Sequence, residues 1–212
     1  MIRPAANLHI IVPDQVTGPE GDLTRDELHR ASAFRFAGDR ERWIACRSAL
    51  RRILGEICQV APRDVPIIIG PNGKPLLAPP FEGVHFNLSH CEDLALIAVD
   101  SAPVGVDLEP LSRAPSLIGC EASFCHPDEI SALPSDESAR GLGLLSIWTA
   151  KEAALKAVGT GLLHPPEEIF VDLQTGIIRS DRSIPGIEKV GLEKLTDPRL
   201  VRHSAFLARC GN

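Results

Sequence analysis

None of the six cysteines, at 46, 58, 91, 120, 125 and 210, stands in a C-x-x-C pair. That excludes a zinc knuckle and a thioredoxin-type redox motif and leaves buried free thiols as the expectation. Cys125-His126 has no second pair at metal-ligand spacing. Long apolar runs are missing too: the best is Leu94 to Val99, whereas a membrane span needs roughly 18 residues. Pro4 and Asn7 interrupt the stretch that a secretory signal would need to keep apolar, so a cytoplasmic protein is expected. Positive charge is in deficit, 22 Lys and Arg against 28 Asp and Glu for a net charge of −6, which excludes sequence-independent nucleic-acid binding. What remains, with 44% hydrophobic and 24% charged residues among 212, is a globular chain long enough for one large domain or two small ones.

The pattern along the chain favours two. Leu23 to Leu54 reads as helical, its second half placing Trp43, Cys46, Leu50, Ile53, Leu54 and Ile57 on one stripe. Between residues 40 and 52 five arginines (40, 42, 47, 51 and 52) face a single acid, Glu41, an unusual concentration in an acidic protein. Strand-like pieces follow at Val65 to Ile69, Val84 to Leu88 and Leu94 to Val99, with a turn over Pro71 to Pro75. A second cycle then begins: a strand at Val104 to Leu108, a helical start at Cys125 to Glu129 and a long helix from about Ser146 to Val158, stopping at Gly159. Short strands close it at Ile169 to Leu173, Ile177 to Ile178, Gly186 to Leu192 and His203 to Ala208. Two α+β halves, 1–102 and 103–212, joined near Asp100 to Pro103, account for this ordering.

Four short motifs carry candidate chemistry. In VGVDLEP, residues 104 to 110, strand alternation sends Val104, Val106 and Leu108 to one face and Gly105, Asp107 and Glu109 to the other. Two carboxylates about 7 Å apart suit a hard divalent cation, or else line a solvated face. In WTAKEAALKAVGTG, residues 148 to 161, Trp148, Glu152 and Lys156 recur at i, i+4 and i+8 with Lys151 beside them: an exposed salt bridge, or a partly covered pair awaiting a ligand. VHFNLSH, residues 84 to 90, packs Val84, Phe86 and Leu88 inward and presents His85, Asn87 and Ser89 outward, then releases His90 into a turn. Ser89 and His90 are either phosphate donors or a turn cap with a surface histidine. NGKP, residues 72 to 75, is a turn whose Lys74 is a mobile cation for a phosphate or a solvated turn lysine.

In this order and spacing, the arginine-bearing helix, GKP, NLSH, GVDLEP and WTAKEAALKAVGTG resemble the successive motifs of the Sfp-type 4'-phosphopantetheinyl transferases. The resemblance runs from about Leu23 to Gly161, with HSAFLA at 203 to 208 similar to the family's closing strand. It implies a monomer of two similar α+β subdomains related by a pseudo-twofold axis, with coenzyme A and Mg2+ in the cleft between them. It also implies transfer of 4'-phosphopantetheine to a serine of an apo acyl, peptidyl or aryl carrier protein, releasing adenosine 3',5'-bisphosphate. By resemblance Asp107, Glu109 and Glu152 are metal ligands and Lys156 lies near the pyrophosphate. Arg42, Lys74, Ser89, His90 and Lys151 bind coenzyme A, and the serine proton goes to Glu152 or to a water oriented by Glu129. Glu129 also serves as a plain helix first-turn acid. The chain has no tyrosine, so any tyrosine contact of relatives is replaced or absent. The competing readings are a Mg2+-dependent phosphoanhydride hydrolase and a non-catalytic module that binds coenzyme A or a carrier protein.

Overall fold

The computed structural model describes residues 6–211, so Pro4 lies outside the described residues. In the first half, β1 (Asn7–Ile11) leads to α1 (Arg25–Ser32) and α2 (Ala37–Cys58), followed by β2 (Ile67–Ile69), β3 (Pro75–Leu77), β4 (His85–His90) and β5 (Ala95–Asp100). The second half holds β6 (Val104–Pro110), α3 (Pro127–Ala132), α4 (Glu137–Val158), β7 (Ile169–Val171), β8 (Ile178–Ser180), β9 (Val190–Lys194) and β10 (His203–Cys210). The three-stranded sheets have the matching orders β1-β5-β4 and β6-β10-β9, and each half adds a two-stranded hairpin, β2-β3 or β7-β8. All the pairings are antiparallel. The chain is thus α+β, and its second half repeats the element order of the first.

Each sheet is covered by one long helix. On α2, Ala49, Leu50, Leu54 and Cys58 pack against Phe86, Ile97 and Val99 of the first sheet. On α4, Leu144, Ile147, Ala150, Ala154 and Leu155 join Phe206, Ala208 and Val190 of the second. The alternate strand residues point the other way: Leu96 and Ala98 of β5 meet Val104, Val106 and Leu108 of β6 and Ala205 and Leu207 of β10 in a shared core. The seam between the halves is therefore apolar in its middle, and polar groups collect where it opens.

Several boundaries depart from expectation. The single helix expected over Leu23 to Leu54 is broken at 33–36. A reciprocal Thr24–Glu27 capping box starts α1, and neither glycine nor proline marks its end. Ile57, expected on the buried stripe, is 40% exposed. Helix α4 begins nine residues before Ser146, at Glu137, with the Asp136 side chain accepting from Ala139 N at 2.8 Å. Gly141 and Gly143 disguise this first part by their poor helix propensity. A Cβ at Gly141 would lie 3.1 Å from Ala114 O, so the residue admits a close approach. Strand β9 starts at Val190 rather than Gly186, because Gly186 at φ +82° opens a short 3-10 turn over Ile187–Lys189. Strand β1 was not anticipated; it is a five-residue edge strand with no fully buried residue.

Candidate active site at the seam of the two halves

Strand β6 supplies the acids. As its alternation requires, Val104, Val106 and Leu108 enter the shared core while Gly105, Asp107 and Glu109 face α4. That face is covered: a Cβ on Gly105 would stand 2.1 Å from Ala153 O, so only glycine lets strand and helix come this close. Asp107 is consequently 4% exposed. Its Oδ1 accepts from Lys156 Nζ at 2.6 Å and from Ser89 Oγ at 2.9 Å. Its Oδ2 is buried with no partner among the described residues, a costly state for a carboxylate oxygen.

Helix α4 brings Trp148, Glu152 and Lys156 to the same place. Trp148 Nε1 donates to Glu109 Oε1 at 3.3 Å, and Arg113 Nη1 donates to that same oxygen. The Arg113 guanidinium lies over the Trp148 ring, 5.4 Å from its centroid, and Phe124 meets the ring edge-on. The stripe is therefore partly covered, not an exposed salt bridge. Burial pushes the Glu152 carboxyl above its ordinary value, Lys156 pulls it back, and the charges of Asp107 and Glu109 push it up again. The three carboxylates do not gather within 4.8 Å of one another; among the described residues, only Cys91, Asp93 and His203 form such a group. A divalent cation nevertheless fits the donor set, since it would satisfy Asp107 Oδ2 and relieve the repulsion that raises Glu152.

The N-terminal half contributes from β4 and α2. Asn87 and Ser89 do not face solvent as expected: both are buried against β6. There Asn87 Oδ1 accepts from Val106 N at 2.8 Å and Ser89 joins Asp107 and Lys156. The reason is that β4 packs across the seam on β6, so its polar side chains replace backbone partners between sheets. His90 is exposed at the strand end. Neighbouring protein, and then the positive charge of Arg42, hold its imidazole below the ordinary value, with Lys156 adding to the effect. Arg42 and His90 border a cleft of about 760 Å³ whose other wall is Pro110 to Ser112 and Val201 to His203. A smaller cavity of about 130 Å³, between Trp43, Arg47, Pro75, Phe86 and Asn87, meets it at His90.

Four of the groups expected to serve coenzyme A or the reaction have partners within the protein. The arginine cluster of α2 is mostly spent on its own acids: Arg47 and Arg51 on Glu27, Arg52 on Asp22. Only Arg42 of the five reaches the cleft, with Nη1 on Asp39 and Nε on the Glu92 carbonyl at 2.8 Å. Lys74 is no mobile cation. Its Nζ donates to the carbonyl of Val104 on β6 at 3.0 Å and to those of Lys156 and Ala157 at 2.6 and 3.1 Å, which the last turn of α4 leaves without donors. Lys151, 1% exposed, is sealed beneath α4, donating to Glu129 Oε2 at 2.7 Å and to the carbonyls of Phe124 and Pro166. Burial pulls its ammonium below the ordinary value and Glu129 restores it. Glu129 is equally engaged: Oε1 accepts from Val171 N and Oε2 also from His126 N, and the residue is only 4% exposed. Arg113 escaped the sequence reading although its partner Glu109 is only four residues away, and Asn87 has an outward direction there but no role, because only sheet packing gives it a partner.

A family model described as 4'-phosphopantetheinyl transferase, N-terminal, matches residues 21–102, and one described as the 4'-phosphopantetheinyl transferase superfamily matches 103–197. Among curated proteins the chain is 41% identical over 156 residues to the 4'-phosphopantetheinyl transferase HetI of Nostoc sp., covering 71% of this chain and 65% of HetI. It is 33% identical over 135 residues to the 4'-phosphopantetheinyl transferase psf-1 of Bacillus pumilus, covering 63% of this chain and 57% of that relative. Against the Sfp enzyme of Bacillus subtilis strain 168, identity is 24% over 151 residues, covering 71% of this chain and 66% of Sfp. The chain thus spans somewhat under two thirds of the length of HetI and psf-1. Since two models of one family account for residues 21–197 without a gap, meeting where the two repeated halves meet, the chain belongs to the 4'-phosphopantetheinyl transferase superfamily.

Proposed function

We propose that the protein transfers the 4'-phosphopantetheine arm of coenzyme A to a serine of an apo acyl, peptidyl or aryl carrier protein, with Mg2+ bound at the seam. The observation that carries this reading is the buried, unpartnered Oδ2 of Asp107 beside a Glu152 raised by burial and by two neighbouring acids. Such a set is unfavourable empty and favourable around a cation. Asp107, Glu109 and Glu152 would hold the ion, which when bound supplies Lewis-acid stabilisation of the phosphate oxygens.

The chain's own groups do the rest. The serine oxygen forms a bond to the phosphorus bearing the pantetheine arm as the pyrophosphate bond breaks, leaving adenosine 3',5'-bisphosphate. Such a displacement asks mainly for alignment and positive charge around the phosphates. Lys156 already stands 2.6 Å from Asp107 and 3.3 Å from Ser89, so a phosphate placed there meets an ammonium and a hydroxyl together. His90 and Arg42 face the cleft where the remaining phosphates would lie, and an anion there favours the protonated imidazole. The burial of Glu129 and its pairing with Lys151 support Glu152 as the acid that takes the serine proton. The matching sheet orders support two subdomains, 1–102 and 103–212, related by a pseudo-twofold axis within one monomer. All six cysteines are free, which suits a reducing cytoplasm. No helix of the described residues is long and apolar enough to cross a membrane.

Intact mass measurement of a panel of apo carrier proteins, incubated with the protein, coenzyme A and Mg2+, tests the reading. A gain of one phosphopantetheine group, abolished by EDTA, is expected. Coenzyme A cleavage without a carrier would instead establish a hydrolase. Binding of coenzyme A with no product on any carrier would establish a binding module.

A further inference from the structure

One cluster in the cleft is not used by the proposed reaction. The β4–β5 hairpin turns through Cys91 to Leu94, closed by Cys91 N donating to Leu94 O at 2.9 Å, and this turn presents the side chains of Cys91 and Asp93. From the other half, His203 opens β10 directly opposite Pro110 of β6. Cys91 Sγ donates to Asp93 Oδ1 at 3.2 Å, and His203 Nε2 lies 3.0 Å from that same oxygen. One ligand atom from each residue falls within 4.8 Å of the other two. Independently of that convergence, the His203 side chain is only 3% exposed and its Nδ1 has no hydrogen-bond partner among the described residues. The imidazole is thus held in place at the wall of the cleft, with its proton on Nε2 facing Asp93 and Nδ1 bare.

We propose that Cys91, Asp93 and His203 form a transition-metal site, of the kind that takes Zn2+, which joins the two halves at the mouth of the cleft. Thiolate, imidazole and carboxylate together are a borderline-soft donor set, which suits zinc and not magnesium, whose preference is for oxygen ligands in an octahedron. Three protein donors leave a fourth position open. Binding is a substitution without redox change. The ion replaces the hydrogens now shared on Asp93 Oδ1: the thiol proton leaves to solvent, and the imidazole proton moves from Nε2 to the unpartnered Nδ1 as Nε2 takes the metal. The site is separate from the carboxylates of Asp107, Glu109 and Glu152. It is nonetheless coupled to the cleft, because Arg42 Nε is bonded to the carbonyl of Glu92, the residue between two of the ligands.

Titration of the full-length protein with Zn2+ against a chromogenic chelator, in excess Mg2+, tests the site without reference to transferase activity. One equivalent is expected, with affinity reduced by more than about 100-fold in both Cys91→Ser and His203→Gln, a larger loss than removing an outer partner of a ligand brings. Cys120→Ser, which alters an exposed thiol elsewhere, is expected to bind as the wild type does. Co2+ in place of Zn2+ should give a thiolate charge-transfer band that Cys91→Ser lacks. The proposal is overturned if the wild type binds no zinc, or if either ligand variant binds it as tightly as the wild type.

Discussion

Replacing Lys74 by methionine distinguishes a structural lysine from a phosphate ligand. The substitution keeps an unbranched stem of four heavy atoms and removes the ammonium that serves Val104 O, Lys156 O and Ala157 O. Leaving a buried carbonyl without its donor costs about 1–3 kcal/mol. The lower end suits these three, because the end of α4 is only partly covered and methionine recovers some apolar contact, so Lys74→Met should lose about 3 kcal/mol. Urea denaturation reads this as a lower midpoint with an unchanged slope. The pH dependence has a definite sign. Burial holds the Lys74 ammonium down to about 8, against 10.5 for an ordinary lysine. Between those values the unfolded chain binds the proton that the folded chain has released, so the wild type gains stability relative to Lys74→Met as pH rises through that window. Because the strut holds the helix end that carries Lys156, kcat should fall while KM for coenzyme A changes by less than about threefold. A variant as stable as the wild type but with a KM raised tenfold or more would refute the assignment and restore Lys74 as a phosphate contact.

Two other outcomes follow from the same seam. Gly105→Ala would place a Cβ 2.1 Å from Ala153 O and 2.4 Å from Ala157 N, both backbone atoms that cannot turn aside. It should cost at least the upper part of the about 1–3 kcal/mol range for overpacking and abolish transfer by pushing α4 away from β6; a stable, active variant would show that the helix does not pack as described. Glu152 has a carboxyl raised above its ordinary 4.5, so in metal-free protein the folded state keeps a proton that the unfolded state has lost. Stability should therefore fall as pH rises from 4.5 through the elevated value, relative to Glu152→Gln, and Mg2+ should restore it, with weaker apparent Mg2+ binding at lower pH. Parallel pH profiles for the two proteins would remove the claim.

The parts legible in the sequence are those written in short-range periodicity. Alternation in VGVDLEP separated the core-facing valines from the two acids, and helical spacing aligned Trp148, Glu152 and Lys156; both hold because a side chain's direction on one element depends only on that element's repeat. Gly159, left-handed at φ +76°, ended α4 where a glycine stop was expected. The order of motifs was enough to suggest the family. Tertiary structure alone decided which polar groups are free. Glu129 and Lys151 are 22 residues apart yet bury each other, Lys74 spans 82 residues to the end of α4, and Asn87 finds its partner on another sheet. Cys91 and Asp93 meet His203 only because β10 returns beside β6 at the mouth of the cleft, a separation of 110 residues between Asp93 and His203. A charged side chain's role depends on what closes over it, and that closure is made by packing between segments with no local signature of one another.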